Sequence, residues 1–157
     1  MSKPEFIYVT YIATTPEKLW QALTESEFSK RYWFGTELRT DWRIGSPFAL
    51  VMDGKVTDTG TVLEYDPPKR LSYSFHHELN EAARKEKPSR VTFVLQPHGK
   101  VVKLTLTHDG FPTGTVVIND ISKGWPALLA SLKSLLETGE ALVIPFEAMN
   151  IDMAEVS

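Results

Sequence analysis

Apolar and polar residues alternate along several stretches of the chain, which is the pattern of β-strands with one buried face. Asp53-Gly54 separates two of these stretches and predicts a tight hairpin turn, and Asp66-Pro67-Pro68-Lys69 predicts the end of a strand. One face of the strands is apolar and the other largely polar, so we expect an antiparallel sheet with one solvated face. The predicted strands cover residues 6–13, 47–53, 55–65, 71–78, 91–96 and 101–108.

Helical periodicity occupies two other parts of the chain. After the first strand, Thr15 predicts an N-cap and Pro16 the first helical residue, and a second short helix follows through about Tyr32. Near the C-terminus, apolar residues recur at helical spacing from Ile118 to Leu136, and Gly139 follows as an expected C-terminal glycine. The predicted fold class is therefore α+β: a curved antiparallel sheet of about six to seven strands around one long C-terminal helix, with two short helices after strand one.

Composition fits one domain and excludes several classes of function. The chain has 157 residues, of which 42% are hydrophobic and 24% charged. Its 17 basic and 20 acidic residues give a net charge of −3, so no nucleic-acid partner is expected. The absence of cysteine excludes disulfides, thiolate metal ligands and a cysteine nucleophile. No signal-peptide pattern and no membrane-length apolar run is present, so we expect a cytoplasmic protein that does not bind a membrane.

Motifs for metal, nucleotide and serine chemistry are missing from the sequence. It contains no His-x-x-x-His, no P-loop, no Gly-x-Gly-x-x-Gly and no Gly-x-Ser-x-Gly. We therefore predict no metal and no cofactor.

Four segments carry a resemblance to a known family. They read ATTPEKLWQALT at 13–24, YWFG at 32–35, GTVLEYDPPKRL at 60–71 and GWPALLASLKSLLETG at 124–139. With the order of the predicted elements, they resemble the START/polyketide-cyclase-like (SRPBCC, helix-grip) superfamily. Within it the chain looks most like the branch named for the activator of the heat-shock chaperone ATPase. The match spans roughly 6–142, and implies a single START-like domain over residues 1–157 with a C-terminal tail at 143–157.

The resemblance implies a cavity between the sheet and the long helix, which in relatives holds lipids, polyketides or other apolar small molecules. The side chains on the inward face are the candidates to bind such a ligand, although the same side chains would also serve a filled core. The candidates are Phe48, Leu50, Met52, Tyr73, Phe75, His77, Phe93, Leu104, Leu106, His108, Trp125, Leu129 and Leu132.

Three of these residues are candidates for catalysis. Among the inward-facing positions of the strands, His77 and His108 carry the side chains that titrate near neutral pH. The Tyr73 hydroxyl is predicted on the same face. Each has an ordinary structural alternative, such as a hydrogen bond at the rim of the sheet. The two histidines are separated by an intervening strand, about 10 Å in all, which does not suit one metal ion.

Three functions remain open from the sequence. The leading one is a binding protein for a hydrophobic small molecule without obligatory catalysis, because no catalytic motif is present. The second is a polyketide cyclase- or hydrolase-like enzyme that uses His77, His108 or Tyr73. The third is a stress-related or chaperone-accessory protein, in which the apolar tail from Val143 to Ile151 contacts a protein partner or a second copy. The charged segment 78–87 is expected to be a solvated loop or helical turn, and in this fold it could act as a lid.

Overall fold

A computed structural model of the chain describes residues 4–145 and residue 148, which form one antiparallel sheet and four helices. In chain order, the elements are β1 (Phe6–Ile12), α1 (Pro16–Thr24), α2 (Ser26–Tyr32), β2 (Glu37–Arg39), β3 (Pro47–Met52), β4 (Lys55–Asp66), β5 (Arg70–His77), α3 (Glu81–Arg84), β6 (Ser89–His98), β7 (Val101–Asp109) and α4 (Val117–Thr138). The predicted fold class, with its two short helices and its long C-terminal helix, is confirmed. The short strand β2 was not predicted.

The seven strands pair in the order β1-β7-β6-β5-β4-β3-β2, and every neighbouring pair is antiparallel. The buried face of this sheet packs on α4, where the Trp125 ring lies 6.3 Å from that of Phe75 and 5.9 Å from that of Phe93, measured between centroids. Strands β1 and β2 are the two edges of the sheet.

Local signals fix several ends of these elements. Asp53 and Gly54 both adopt positive φ, 50° and 77°, as a two-residue hairpin between β3 and β4 requires. Helix α4 ends at Gly139, whose φ of 88° is left-handed and whose N–H donates to the Leu135 carbonyl at 2.9 Å. Both turns were predicted from the sequence.

The irregular strand β4 matters most for the site. Its pairing with β5 shifts by one residue between Val62 and Glu64, which marks a β-bulge. Beyond the bulge, Asp58 becomes the register partner of His77. The bulge thus decides which side chain of β4 meets that histidine.

Replacing Thr15 by alanine tests the cap of α1. Thr15 directly precedes Pro16, the first residue of α1, and its hydroxyl oxygen accepts a hydrogen bond from the Lys18 N–H at 3.2 Å. We expect Thr15→Ala to lower the free energy of unfolding by about 1 kcal/mol, measured by urea denaturation. The control is Thr113→Ala at an exposed position, which should change it little. Equal effects of the two substitutions would contradict the capping role.

Candidate functional site

A cavity of about 190 Å³ lies between the sheet and α4, at the end where β5 leaves the sheet. An engineered apolar cavity of about 150 Å³ in another protein binds benzene, so this cavity admits a single aromatic ring or two fused rings. Most of its wall is apolar: Trp33, Phe34, Met52, Phe75, Leu79, Ile121, Trp125 and Leu128. Its polar side chains are Thr36, Thr57, Asp58, His77, Asn80 and Asp120.

A histidine–carboxylate pair stands in this wall. Nδ1 of His77 on β5 lies 2.5 Å from Oδ1 of Asp58 on β4, and the two side chains are 23% and 10% exposed. The other carboxylate oxygen of Asp58 accepts a hydrogen bond from the Thr57 hydroxyl at 2.8 Å. The pair therefore joins two neighbouring strands, with Asp58 held by the preceding residue of its own strand, and is largely shielded from solvent.

Opposing effects act on the pKa of His77. Burial lowers it, but the hydrogen bond and charge of Asp58, with the charges of Asp120 and Glu86, outweigh burial and raise the pKa above its ordinary value of 6.5. His77 therefore carries a proton at a higher pH than a free histidine does.

Apart from Oδ1 of Asp58, which is paired with Nδ1 of His77, two polar atoms of the cavity wall have no hydrogen-bond partner among the described residues. They are Nε2 of His77 and the hydroxyl oxygen of Thr36, and both are buried. A buried polar group without a partner costs about 1–3 kcal/mol, so it normally finds one in the protein, a water or a ligand. These two atoms are the available polar anchors of an otherwise apolar cavity.

His108 does not line the cavity but lies fully buried behind its wall. The Trp125 indole N–H donates to its Nδ1 at 3.0 Å, which places the ring proton on Nε2, 2.6 Å from the Ser89 hydroxyl. Ser89 in turn donates to the Phe75 carbonyl at 3.1 Å. Burial, with a smaller contribution from the charge of His77, lowers the pKa of His108 to about 3. His108 is thus a neutral side chain that fixes the orientation of Trp125.

Tyr73, the third catalytic candidate, is stacked in the core and does not line the cavity either. Its ring lies 4.2 Å from that of Phe48 between centroids, with 19° between the planes, and burial raises the pKa of its hydroxyl well above 10.0. Of the thirteen inward-facing candidates, the cavity brings together Met52, Phe75, His77 and Trp125. The rest are buried away from it because they pack on one another: Phe48, Leu50, Tyr73, Phe93, Leu104, Leu106, His108, Leu129 and Leu132.

Sequence reasoning missed several residues of the site. Asp58, Thr36 and Trp33 line the cavity but were not among the candidates. Asp58 occupies a predicted strand, but counting residue pairs back from the turn at 66–69 would have paired His77 with Thr59, because the one-residue shift between Val62 and Glu64 is not visible in the alternation. Trp33 and Thr36 lie between α2 and β2, where no periodicity indicates which way a side chain faces.

The segment 78–87 borders the cavity. Leu79 and Asn80 line it, α3 occupies the middle of the segment, and the Glu86 carboxylate accepts hydrogen bonds from the Thr115 hydroxyl and the Val116 N–H at 2.5 and 2.7 Å. The segment is thereby tied to the start of α4, and its action as a lid stays a prediction. Of the predicted docking tail, residues 146–147 and 149–157 lie outside the described residues.

Residues 4–145 and 148 contain neither a cluster of metal-binding side chains nor a membrane-length apolar helix. Within these ranges no group of three or more metal-binding side chains comes together. Likewise, no helix in the described part of the chain is long and apolar enough to cross a bilayer.

Comparisons with known proteins support the predicted family and fold. The family model described as "Activator of Hsp90 ATPase homolog 1-like protein" matches residues 13–137. No curated protein matches the chain. Among solved structures, the Aha1 dimer from Colwellia psychrerythraea is similar with a TM-score of 0.73 and 22% identity, over 88% of this chain and 99% of that one.

Two further structures show the same fold. An HSP90 activator from Plasmodium falciparum has a TM-score of 0.71 and 21% identity, over 84% of this chain and 95% of its own. A protein from Mesorhizobium loti has a TM-score of 0.72 and 27% identity, over 85% of this chain and 96% of its own.

Proposed function

The chain belongs to the family of Activator of Hsp90 ATPase homolog 1-like proteins, and from that premise we propose that it binds an apolar small molecule in the cavity between its sheet and α4. The ligand has a planar body of one or two rings and carries one hydroxyl or similar polar group. That polar group meets His77 and Thr36, while the body lies between the aromatic walls.

The two unpartnered polar atoms carry this proposal. An apolar cavity that merely resulted from imperfect packing would have no reason to bury Nε2 of His77 and the hydroxyl of Thr36 at its wall without partners. A ligand hydroxyl can donate to one atom and accept from the other, which offsets the cost of their burial. Ligand sites in proteins commonly combine an apolar lining with a few polar groups of this kind.

A matched pair of ligands tests the polar contact. The probes are 2-naphthol and 2-methylnaphthalene, which share the fused rings and differ by a hydroxyl in place of a methyl group. We expect 2-naphthol to bind about twofold to tenfold more tightly, because one net hydrogen bond contributes about 0.5–1.5 kcal/mol. The dissociation constants are measured by NMR titration. Equal affinity for the two probes would remove the polar anchor from the proposal.

A cavity-filling substitution tests the location. Ile121 on α4 lines the cavity, and a larger ring there occupies the space of the ligand. We expect Ile121→Phe to weaken 2-naphthol binding at least about tenfold while leaving the fold intact. Ile7→Phe is the matched control, because Ile7 is 54% exposed on β1 and its change should not affect binding. If Ile121→Phe binds as the unaltered protein does, the ligand site is elsewhere.

Association with a protein partner or a second copy stays a prediction. Two structures of similar fold are described as a dimer and as an HSP90 activator, but at 22% and 21% identity they support the fold alone. On this chain, the solvent-facing side chains of edge strand β1 include the exposed Ile7, Val9 and Tyr11. Size-exclusion chromatography with light scattering measures the oligomeric state directly.

A further inference from the structure

We propose that the His77–Asp58 pair is a general base, which removes a proton from an apolar, planar carbon acid bound in the cavity. The inference rests on the proposed function, since the substrate occupies the site described for the ligand. His77 is the catalytic residue and Asp58 the positioning residue.

The geometry assigns the proton positions. With Oδ1 of Asp58 at 2.5 Å from Nδ1, the neutral imidazole carries its proton on Nδ1 and leaves a lone pair on Nε2. That nitrogen is buried and has no partner within the described residues. The Thr57 hydroxyl holds the second oxygen of Asp58 at 2.8 Å, so the carboxylate is fixed in place before a substrate arrives.

Titratable groups from four other parts of the fold surround or act on this imidazole, and three of them are charged. Asp58 on β4, Asp120 on α4 and Glu86 before β6 are acidic and favour the imidazolium that proton removal creates. His108 on β7 stays neutral, since its pKa is lowered to about 3. The basic form of His77 is therefore populated as the pH rises through a pKa above 6.5, and the proton it takes up is stabilised by carboxylates.

The reaction balances without a further reactant. The C–H bond of the substrate breaks, a new N–H bond forms at Nε2, and the C–H electron pair moves through the substrate to an oxygen atom. The Thr36 hydroxyl, buried in the same wall without a partner within the described residues, donates a hydrogen bond to that oxygen as its negative charge develops. Return of the proton to another atom of the substrate completes an isomerisation and restores the neutral imidazole.

A small aromatic probe tests the base directly. In 5-nitrobenzisoxazole, loss of the proton on carbon 3 to a base breaks the ring N–O bond and yields a cyanophenolate that absorbs visible light. We expect saturable turnover whose kcat/KM rises with pH through the pKa of His77. The pH midpoint should agree with the midpoint of the His77 ring signals in NMR.

Substitutions of the pair separate its two members. We expect His77→Gln to lower kcat/KM about 100-fold, because general bases contribute at least that much. Asp58→Asn should lower it roughly tenfold and move the pH midpoint downward, because a group that raises the pKa of His77 is gone. His98→Gln, at an exposed position on β6, is the matched control and should leave the rate unchanged.

The outcomes distinguish this inference from the proposed function. If 2-naphthol binds but 5-nitrobenzisoxazole reacts no faster with the unaltered protein than with His77→Gln, the general base is overturned and the binding site remains. If neither compound binds, both are overturned. Should the variants fail to fold, competitive inhibition of the reaction by 2-naphthol supports the cavity as the place of reaction, and a rate indifferent to 2-naphthol contradicts it.

Discussion

Acidification from pH 6.5 to about pH 4.5 should lower the free energy of unfolding by about 2 kcal/mol through His108 alone. In this range the unfolded chain protonates the histidine, whereas the folded protein, with a His108 pKa of about 3, does not. The unfolded state then binds more protons, so stability falls as the pH falls. The shift arises because the imidazole is fully buried and its Nδ1 already accepts the Trp125 N–H.

His77 does not disturb this measurement. Its folded pKa is raised, so its contribution to stability is fully present below the unfolded pKa of 6.5 and is lost as the pH rises through the folded pKa. About one pH unit below 6.5 and lower, both states carry its proton, so it adds little slope over most of this range. His77 and His108 therefore affect stability mainly in separate pH ranges.

The matched variant is His108→Gln. The glutamine amide can accept from Trp125 and donate to Ser89 as the imidazole does, but it does not titrate. Urea denaturation of both proteins between about pH 4.5 and pH 6.5 should show the extra slope only with the histidine present. Parallel pH profiles would show that His108 is not the buried neutral group described here.

Gly60→Ala should be strongly destabilising, by at least about 3 kcal/mol. A Cβ atom at this position of β4 would lie 1.9 Å from the Ser74 carbonyl oxygen on β5. Since that oxygen belongs to the backbone, no side-chain rotation relieves the overlap. The strands would have to move apart two residues from Asp58. We therefore expect the NMR titration of His77 to change as well.

Gly99→Ala provides the comparison for that substitution. Gly99, between β6 and β7, has a φ of 63° and open space where a Cβ would lie, so its replacement costs only the strain of a left-handed residue, about 1–2 kcal/mol. Both variants are measured by urea denaturation. A Gly60→Ala variant no less stable than Gly99→Ala would contradict the close approach of β4 and β5.

Much of the fold was predictable because periodicity and turn chemistry act locally. The hairpin at Asp53-Gly54 and the end of α4 at Gly139 follow from which residues tolerate positive φ. The three-residue strand β2 is too short to show an alternation. The pairing of Asp58 with His77 depends on a one-residue shift between Val62 and Glu64, and nothing in the sequence around Leu63 signals a bulge.

The division between core and cavity was beyond the sequence for a different reason. The inward-facing rings of the strands share one face of the sheet, opposite Trp125 on α4, and their identity does not reveal which have neighbours on every side. Phe48 and Tyr73 stack on each other and fill their part of the interior, whereas Phe75 and Trp125 border open space. Trp33 and Thr36, in the connection between α2 and β2, form part of the cavity wall, and the sequence does not predict the path of that connection.

The most direct measurement of the central claim is the NMR titration of the histidine ring signals with 2-naphthol. The signals of His77 should shift saturably with the dissociation constant measured from the rest of the protein, while those of the exposed His98 stay fixed. The shift should disappear in Ile121→Phe. Binding of 2-naphthol that leaves the His77 signals unchanged, or a His77 shift that persists in Ile121→Phe, would contradict a ligand site in this cavity.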